Sequence, residues 1–316
     1  MIGARDTATL NPYYEGFTQT ITEVVSAAVT YTGYSTPSTP TSARKWYISK
    51  TEKVGGTTYV NWALDGDFAI WDDRTTYFGS TPVPSFTNQY SVLFDGVNDY
   101  CTGPVGPLNE ERNIPVSISM WVKPTAGATS ALISTYNVAR TGKYLGLNAN
   151  GTALMYVSNA SANAILVTTA SVCVPVGQWT HVVMTYNGNQ LASGVKIYTN
   201  TLNQVLVTNQ NNLSGTTVSN QVPSVGAVLF PTATSFFPGS IDEVSLWDKA
   251  LTAAEIIELY NTGLPGNLAT HSATANLTHW WRMGDNDTYP TLLDGRGTSD
   301  LTMINMLSSN IQAVVP

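Results

Sequence analysis

Positions 238–256 read PGSIDEVSLWDKALTAAEI, a strand-like run that passes directly into the start of a helix. Residues 240–247 have the apolar and β-branched character of a buried strand. Thr252 is followed three residues later by Glu255, the spacing of a capping box in which each side chain bonds the other residue's backbone N–H. Gly263 is a typical residue for a helix end. The stretch therefore predicts one strand followed by one short surface helix.

Ten further segments before this stretch also have strand character. Turn pairs such as Asn150-Gly151 and Asn187-Gly188 separate several of them. The segments are residues 90–94, 116–122, 131–134, 143–147, 153–157, 165–169, 179–186, 195–199, 204–208 and 224–227. Many short strands without intervening helices are typical of an antiparallel sandwich or barrel. The fold class predicted is therefore all-β.

The N-terminal part differs from the rest in composition. Residues 1–43 show no sustained period, although residues 24–31 could form a short strand, and a Pro/Ser/Thr run over 35–42 disfavours regular structure. Residues 44–87 contain three alternating segments separated by glycine turns, which predict a small β-meander. The expected organisation is an extended N-terminal arm over 1–43, a meander over 44–87 and a main domain over 88–316.

Composition excludes several classes of protein. The 316 residues are 43% hydrophobic and 10% aromatic, with 8 Trp and 16 Tyr, so the chain has enough apolar material for a core. A net charge of -7 disfavours a nucleic-acid partner, because phosphates require a basic surface. The sequence contains no run of 18 apolar residues, so no membrane span is predicted. No Sec-type signal is visible over residues 1–14.

Cysteine and histidine content limits the metal chemistry. Cys101 and Cys173 are the two cysteines, and the three histidines show no metal-ligand spacing. Two buried free thiols are the favoured interpretation and a single disulfide is the alternative. His181 alternates with apolar residues on its strand, which predicts a buried, hydrogen-bonded histidine.

Five motifs, taken in order, resemble the laminin-G-like, concanavalin A-like lectin/glucanase superfamily. They are residues 91–100 (SVLFDGVNDY), 116–124 (VSISMWVKP), 178–188 (QWTHVVMTYNG), 195–198 (VKIY) and 238–256. The resemblance implies a jelly-roll sandwich of two antiparallel sheets. A strand pattern typical of the start of such modules stands here at 277–285. Residues 277–305 either close the same sandwich as a C-terminal hairpin or begin a truncated second unit. We expect the first, because an isolated hairpin is marginally stable.

The same resemblance bears on catalysis. Glucanases of this fold carry Glu-x-Asp-x-x-Glu on one strand, which places three carboxylates on one face. In this sequence Ser240 and Ser245 occupy the two outer positions and Asp242 the middle one. Strict alternation would turn Asp242 and Glu243 to opposite faces, so they are not expected to pair. The sequence therefore predicts a protein that is not an enzyme.

The resemblance also implies a structural Ca²⁺ ion and a glycan-binding surface. Oxygen ligands for calcium would come from Asp95, Asn98, Asp99 and Asp242. The alternative is that Asp95 and Asn98 are turn residues that bond their own backbone. The candidate glycan-binding aromatic residues are Trp121, Tyr136, Tyr144, Tyr156 and Trp247. Their alternative role is to pack in the core, as most aromatic side chains of a sandwich do.

Residues 280–290 and 45–50 also resemble structural proteins of tailed bacteriophages. This second resemblance implies a virion structural protein, made in the host cytoplasm and exposed on the particle. The arm and meander would bind other virion proteins, and the jelly roll, as capsid decoration or as a fibre or tail component, would bind host-surface glycans, in a homo-oligomer. One alternative is an exported cell-surface carbohydrate-binding or adhesion protein. Another is a glycan hydrolase, which Ser240 and Ser245 disfavour.

Overall fold

A computed structural model describes residues 86–316 in full and five strands within residues 1–85. The chain divides into two compact units, Met1–Ser85 and Phe86–Pro316. The second unit begins two residues before the start expected for the main domain. It contains all the candidate site residues.

The five strands of the N-terminal unit form an antiparallel sheet. They are β1 (Gln19–Ser26), β2 (Val29–Ser35), β3 (Arg44–Val54), β4 (Thr57–Trp62) and β5 (Ala69–Ile70). Their order is β1-β2-β3-β4, and β5 pairs with β3 instead of following β4. The prediction of an extended arm is therefore wrong over β1 and β2, whose Val, Ile, Thr and Tyr content favours strands. The rest of the predicted arm lies outside the described residues.

The second unit contains seventeen strands and one α-helix. The strands are β6 (Ser91–Asp95), β7 (Tyr100–Thr102), β8 (Val116–Pro124), β9 (Ser130–Ser134), β10 (Gly142–Leu147), β11 (Ala153–Ala160), β12 (Asn163–Thr169), β13 (Thr180–Tyr186), β14 (Val195–Thr199), β15 (Leu202–Asn203), β16 (Leu206–Asn211), β17 (Ser224–Val225), β18 (Pro238–Trp247), β19 (Leu277–Trp281), β20 (Thr291–Leu292), β21 (Leu301–Ile304) and β22 (Ile311–Gln312). The helix is α1 (Ala253–Tyr260). All eleven strands predicted in this unit are present.

Two antiparallel sheets build the unit. The nine-stranded sheet has the order β16-β12-β11-β10-β9-β17-β7-β21-β20, and the eight-stranded sheet has the order β15-β14-β13-β8-β18-β6-β22, with β19 beside β18. Ile118 and Val182 of the eight-stranded sheet share one buried cluster with Leu145 and Met155 of the nine-stranded sheet. The sheets therefore pack face to face as the predicted jelly-roll sandwich.

The C-terminal segment belongs to the same sandwich, as expected, but it is not a single hairpin, because only β20 and β21 pair with each other. β19 pairs with β18 in the eight-stranded sheet, whereas β21 pairs with β7 in the nine-stranded sheet. The two strands therefore contribute to opposite layers. Packing requires this, since Trp281 of β19 and Leu301 of β21 both point into the shared core.

Helix α1 begins as the sequence predicts and ends slightly earlier. The capping box between Thr252 and Glu255 is complete. The helix ends at Asn261, which adopts the left-handed conformation (φ 43°) before Gly263 is reached. Asparagine tolerates this conformation better than most residues, because its short polar side chain bonds locally.

The position of α1 decides which sheet face is accessible. Ile256 and Leu259 of the helix join Val183 and Trp247 of the sheet in a second buried cluster. This cluster lies on the face of the eight-stranded sheet that points away from the sandwich core. The helix and the turns that follow it therefore cover that face.

Two further expectations concern thiols and membranes. Cys101 and Cys173 are both free, the first buried and the second half-buried. Within the ranges that the structure describes, no helix is long and apolar enough to cross a membrane.

Candidate functional site

Three of the five candidate aromatic residues lie together on the outer face of the nine-stranded sheet. Tyr144 of β10 and Tyr156 of β11 are direct cross-strand partners. Tyr136, just after β9, completes the cluster with ring centroids 5.7 Å from each of the other two. On β10 and β11, Leu145 and Met155 point into the core, so the period-2 alternation turns both tyrosines outward.

A glycine allows Tyr144 to lie flat on the sheet. Gly146 is two residues further along β10 and so faces the same side. A Cβ at this position would collide with the Tyr144 hydroxyl and with the Ser130 carbonyl. These are the two groups joined by the 3.1 Å hydrogen bond from Tyr144 Oη to Ser130 O. The missing side chain at 146 thus makes room for the ring.

These tyrosines line an open cavity of about 400 Å³, called here the tyrosine cavity. Arg140 forms part of its wall, and the opposite wall is a loop that contributes Val228, Phe230, Pro231, Thr234 and Ser235. Backbone hydrogen bonds of 2.9 and 2.8 Å join Val228 and Thr234 and close that loop. The volume falls in the ~300–1,000 Å³ range of small-molecule sites.

The three hydroxyl groups differ in their partners. Tyr156 Oη donates to Ser161 O at 3.0 Å and also lies 3.0 Å from Gln210 Oε1. The Tyr136 hydroxyl is buried, and no residue of the described ranges offers it a well-formed hydrogen bond, although Ser158 lies close enough to influence it. Burial raises the pKa of Tyr136 well above its ordinary value and that of Tyr144 to about 12. All are therefore neutral donors near pH 7.

The loop before β10 positions Arg140. Asn137 Oδ1 accepts hydrogen bonds from the backbone N–H groups of Ala139 and Thr141, and Asn137 O accepts one from Arg140. Arg140 itself has φ 61°, which is unusual for a residue other than glycine. The tight turn holds an exposed arginine beside the tyrosines.

The other two candidate aromatic residues are part of the packed interior, so their assignment as glycan-binding residues is wrong. Trp247 is fully buried beneath α1 and donates from Nε1 to Ser245 Oγ at 3.0 Å. Trp121 is 4% exposed and stacks on Tyr260, with centroids 5.6 Å apart. Both face outward from the eight-stranded sheet, but α1 and its flanking turns exclude solvent from that face.

His181 is the buried, hydrogen-bonded histidine that the strand pattern predicts. Its Nε2 lies 2.8 Å from Ser119 Oγ, and its ring is 4.9 Å from that of Trp121. Burial lowers the pKa of His181 to about 3. The imidazole is therefore neutral in the folded protein and has a structural position.

Asp242 and Glu243 do not point to opposite faces, and that expectation is wrong. Between Asp242 and Ser245 the register of β18 against β8 shifts, so one extra residue is accommodated as a β-bulge. Glu243 occupies the bulge with φ 48°. The extra residue breaks the period of two and turns both carboxyl groups to the side away from the sandwich core.

This acidic pair is closed off by neighbouring side chains. Asn88 Nδ2 donates to Asp242 Oδ2 at 2.7 Å. Trp280 Nε1 donates to Glu243 Oε2 at 2.5 Å, and Arg282 Nε donates to Glu243 Oε1 at 3.0 Å. Asp242 is 0% and Glu243 5% exposed. Burial and mutual repulsion raise the pKa of Asp242, and burial raises that of Glu243.

The four calcium candidates do not form one ligand set. Asp95 Oδ1 accepts hydrogen bonds from the backbone N–H groups of Val97, Asn98 and Asp99, which is the turn arrangement given above as the alternative. Asp95 pairs with Pro238 at the start of β18. Asp242 follows Pro238 by four residues, so it lies about 13 Å further along the strand. In the part of the chain that the structure describes, no group of three or more His, Cys, Asp or Glu could hold a metal ion. Calcium at the 95–99 turn stays a prediction.

Sequence inspection missed Arg140, Gly146 and the loop over 228–235. A weak signal existed for Gly146, because it shares a face with Tyr144 in the alternation of β10. The loop carries no periodic pattern, and only folding brings it against the tyrosines. A smaller cavity of about 100 Å³ near Asn148 and Val174 contains no charged residue and no exposed ring, so it is a weaker candidate.

Three solved structures are similar to this chain. A Bacteroides ovatus protein assigned to carbohydrate binding aligns with 91% of this chain and 79% of its own, at 13% identity and TM-score 0.53. The CBM40 module of the Ruminococcus gnavus IT-sialidase, bound to α2,3-sialyllactose, aligns with 54% of this chain and 95% of its own (16% identity, TM-score 0.41). Domains LG4–5 of mouse laminin α1 align with 69% of this chain and 65% of their own (12% identity, TM-score 0.38).

At the level of sequence, no curated protein matches this chain. A family profile does match it, over residues 95–257, which is just over half of the chain. The matched region runs from the end of β6 through most of α1 and includes the three tyrosines. The chain therefore belongs to the concanavalin A-like lectin/glucanases superfamily.

Proposed function

We propose that this protein is a non-catalytic carbohydrate-binding module of an adhesion or surface protein, and that the tyrosine cavity is its binding site. The observation that carries the proposal is the clustering of Tyr136, Tyr144 and Tyr156 around one open cavity. Sugar rings have apolar C–H faces that pack on aromatic rings, and their hydroxyl groups bond to polar groups at the ring edges. The cavity offers both kinds of contact.

Two further observations support this proposal. The Bacteroides ovatus protein with the same fold is assigned to carbohydrate binding, although fold alone does not imply function. The acidic pair Asp242 and Glu243, the strongest catalytic alternative, is buried and already hydrogen-bonded. A substrate would have to displace Asn88 or Trp280 to reach it. This supports a binding role over hydrolysis.

Binding to a printed oligosaccharide array, followed by titration calorimetry with the best ligand, tests the proposal. Tyr156→Ala removes a half-buried ring from the cavity and is expected to weaken binding by about tenfold or more. Tyr156→Phe keeps the ring and should retain most of the affinity. Tyr90→Ala removes a 39% exposed ring that does not line the cavity, and its affinity should equal that of the wild type.

Two outcomes count against the proposal. If the wild type binds no member of a broad array, the protein is not a carbohydrate-binding module of the kind proposed. If Tyr156→Ala binds as the wild type does while remaining folded, the site lies elsewhere. Release of reducing sugar that Asp242→Asn abolishes would overturn the non-catalytic part.

A virion role is a narrower proposal. Its only support is the resemblance of residues 280–290 and 45–50 to phage structural proteins. Trp280 and Trp281, which begin the first of these motifs, pack within the sandwich unit, so this part of the motif serves the fold itself. Immunogold labelling of purified particles and of cell surfaces separates the two settings, and light scattering tests the predicted homo-oligomer. Labelling of particles would favour the virion role, and labelling of cell surfaces would favour the adhesion protein.

A further inference from the structure

The tyrosine cavity has a cation in its wall and no acid. Arg140 lines the cavity together with the three tyrosines, and none of the other lining residues is charged. Burial raises the pKa of Tyr136 and of Tyr156, and Arg140 lies close enough to both hydroxyls to offset part of that rise. The whole chain carries a net charge of -7, so a positive group at this place runs against the average charge of the protein.

The Arg140 guanidinium has no internal partner among residues 86–316. Other arginines are engaged: Arg282 pairs with Glu243, and Arg296 donates to the carbonyl groups of Leu277 and Thr274. Arg140 makes one hydrogen bond, from its backbone N–H to Asn137 O. A guanidinium group has five N–H donors in a planar fork that matches two oxygens of an anion.

A second donor without a partner lies in the same cavity wall. The Tyr136 side chain is 9% exposed, and its hydroxyl has no well-formed hydrogen bond in the described region. A buried polar group without a partner is unfavourable. A ligand oxygen that accepts a hydrogen bond from this hydroxyl would therefore make binding more favourable. Arg140 and Tyr136 therefore contribute two donor groups, without a partner among the described residues, to the wall of a cavity whose other lining residues are uncharged.

We propose that the tyrosine cavity selects saccharides that carry an anionic group, a carboxylate or a sulfate ester, with Arg140 as its binding partner. The sugar ring packs on Tyr144 and Tyr156, and the Tyr136 hydroxyl donates to a further ligand oxygen. A neutral saccharide makes the same ring contacts but leaves the guanidinium without an acceptor of matching geometry. This assignment deepens the proposed function and rests on it.

The test compares neutral oligosaccharides with their carboxylated and sulfated counterparts on one array, followed by calorimetry of the best matched pair. We expect the anionic member to bind about tenfold or more tightly, as a charge-assisted hydrogen bond provides. Arg140→Gln should abolish this preference, whereas Arg140→Lys should keep part of it. Added salt should weaken anionic binding by the wild type more than by Arg140→Gln.

Two further variants show whether the anionic preference depends on groups of the cavity and not on the total charge of the protein. Lys196→Gln removes one positive charge at an exposed position of β14, in the other sheet, and it should keep the full anionic preference. Tyr136→Phe should weaken binding of the anionic ligand with little change in stability. The carboxylated and sulfated arms identify which anion is recognised.

The results distinguish the two proposals. Equal binding of neutral and anionic counterparts, or an unchanged preference in Arg140→Gln, would overturn the inference about charge and leave carbohydrate binding in place. Absence of binding to every saccharide by the wild type would overturn both.

Discussion

The backbone N–H of Glu243 donates a 2.8 Å hydrogen bond to Oδ1 of Asp242, its neighbour in the chain. The β-bulge at Glu243 turns both carboxyl groups to the same side of the eight-stranded sheet. The bulge lies where β18 changes its neighbour from β6, whose last pair is Ile241–Val92, to β19, whose first pair is Val244–Trp281. Arg282 is the cation beside this pair, and it is shared with Asp285.

This arrangement predicts that the fold loses stability as the pH rises from acidic to neutral. Burial raises the pKa of Glu243 to about 7, so the folded state holds its proton where the unfolded chain has already lost it. The folded state binds more protons between about pH 4.5 and 7, and stability falls as pH rises through that window. Glu243→Gln removes this titration, so the stability of the wild type relative to the variant should fall from pH 5 to pH 8 and then level off.

Urea denaturation at several pH values measures this difference. Glu258→Gln is the matched control, because the Glu258 side chain is 42% exposed, and although burial acts to raise its pKa, hydrogen bonds from Ser272 lower that pKa below its ordinary value. Its curve should run parallel to that of the wild type above pH 5. Parallel curves for Glu243→Gln would show that Glu243 is ionised in the folded state.

His181 has the opposite pH dependence. Burial lowers its pKa to about 3, so the unfolded chain takes up a proton below pH 6.5 while the folded protein does not. The stability that neutral His181 permits is present above pH 6.5 and is lost as pH falls toward 3. His181→Gln should therefore be less stable than the wild type at pH 7, with a gap that narrows as the pH falls. A gap that stays constant between pH 7 and pH 4 would contradict this account.

Gly146→Ala tests how the tyrosine cavity is built. The added methyl group would push on the Tyr144 ring and the Ser130 carbonyl, so we expect about 1–3 kcal/mol of destabilisation. Saccharide affinity should fall by about tenfold, since the displaced ring no longer forms the floor of the cavity. Gly266→Ala is the control, because its Cβ meets only ordinary contacts at 3.5 Å or more. Unchanged affinity in Gly146→Ala would mean that Tyr144 is not part of the binding surface.

Trp247→Leu tests the conclusion that Trp247 stabilises the core and does not bind saccharide. Trp247 is fully buried, so its truncation should lower the free energy of unfolding by about 3 kcal/mol, which chemical denaturation measures. Saccharide affinity of the folded variant should equal that of the wild type. Tyr156→Ala should show the reverse, with lost affinity and a smaller loss of stability. Loss of affinity in Trp247→Leu alone would place the site on the covered face of the eight-stranded sheet.

The amino-acid sequence by itself determined most of the strands and the single α-helix of the main domain. Short-range periodicity and turn chemistry are local properties, so the segment 116–122 was enough to predict β8. The capping box at Thr252 is likewise a contact between residues three apart, and it was predicted correctly. Ordered motifs of the superfamily added the sandwich architecture.

Only the tertiary structure decided which outward-facing residues remain accessible. Trp121 and Tyr144 both point away from the core in their own sheets, and local pattern treats them alike. Tyr260 and the rest of α1 cover the first, whereas the sheet that carries Tyr144 has an open cavity at this point. The bulge at Glu243 is also invisible to a period-two pattern, because it depends on where β6 ends and β19 begins. Such contacts join residues far apart in the chain, and no local spacing encodes them.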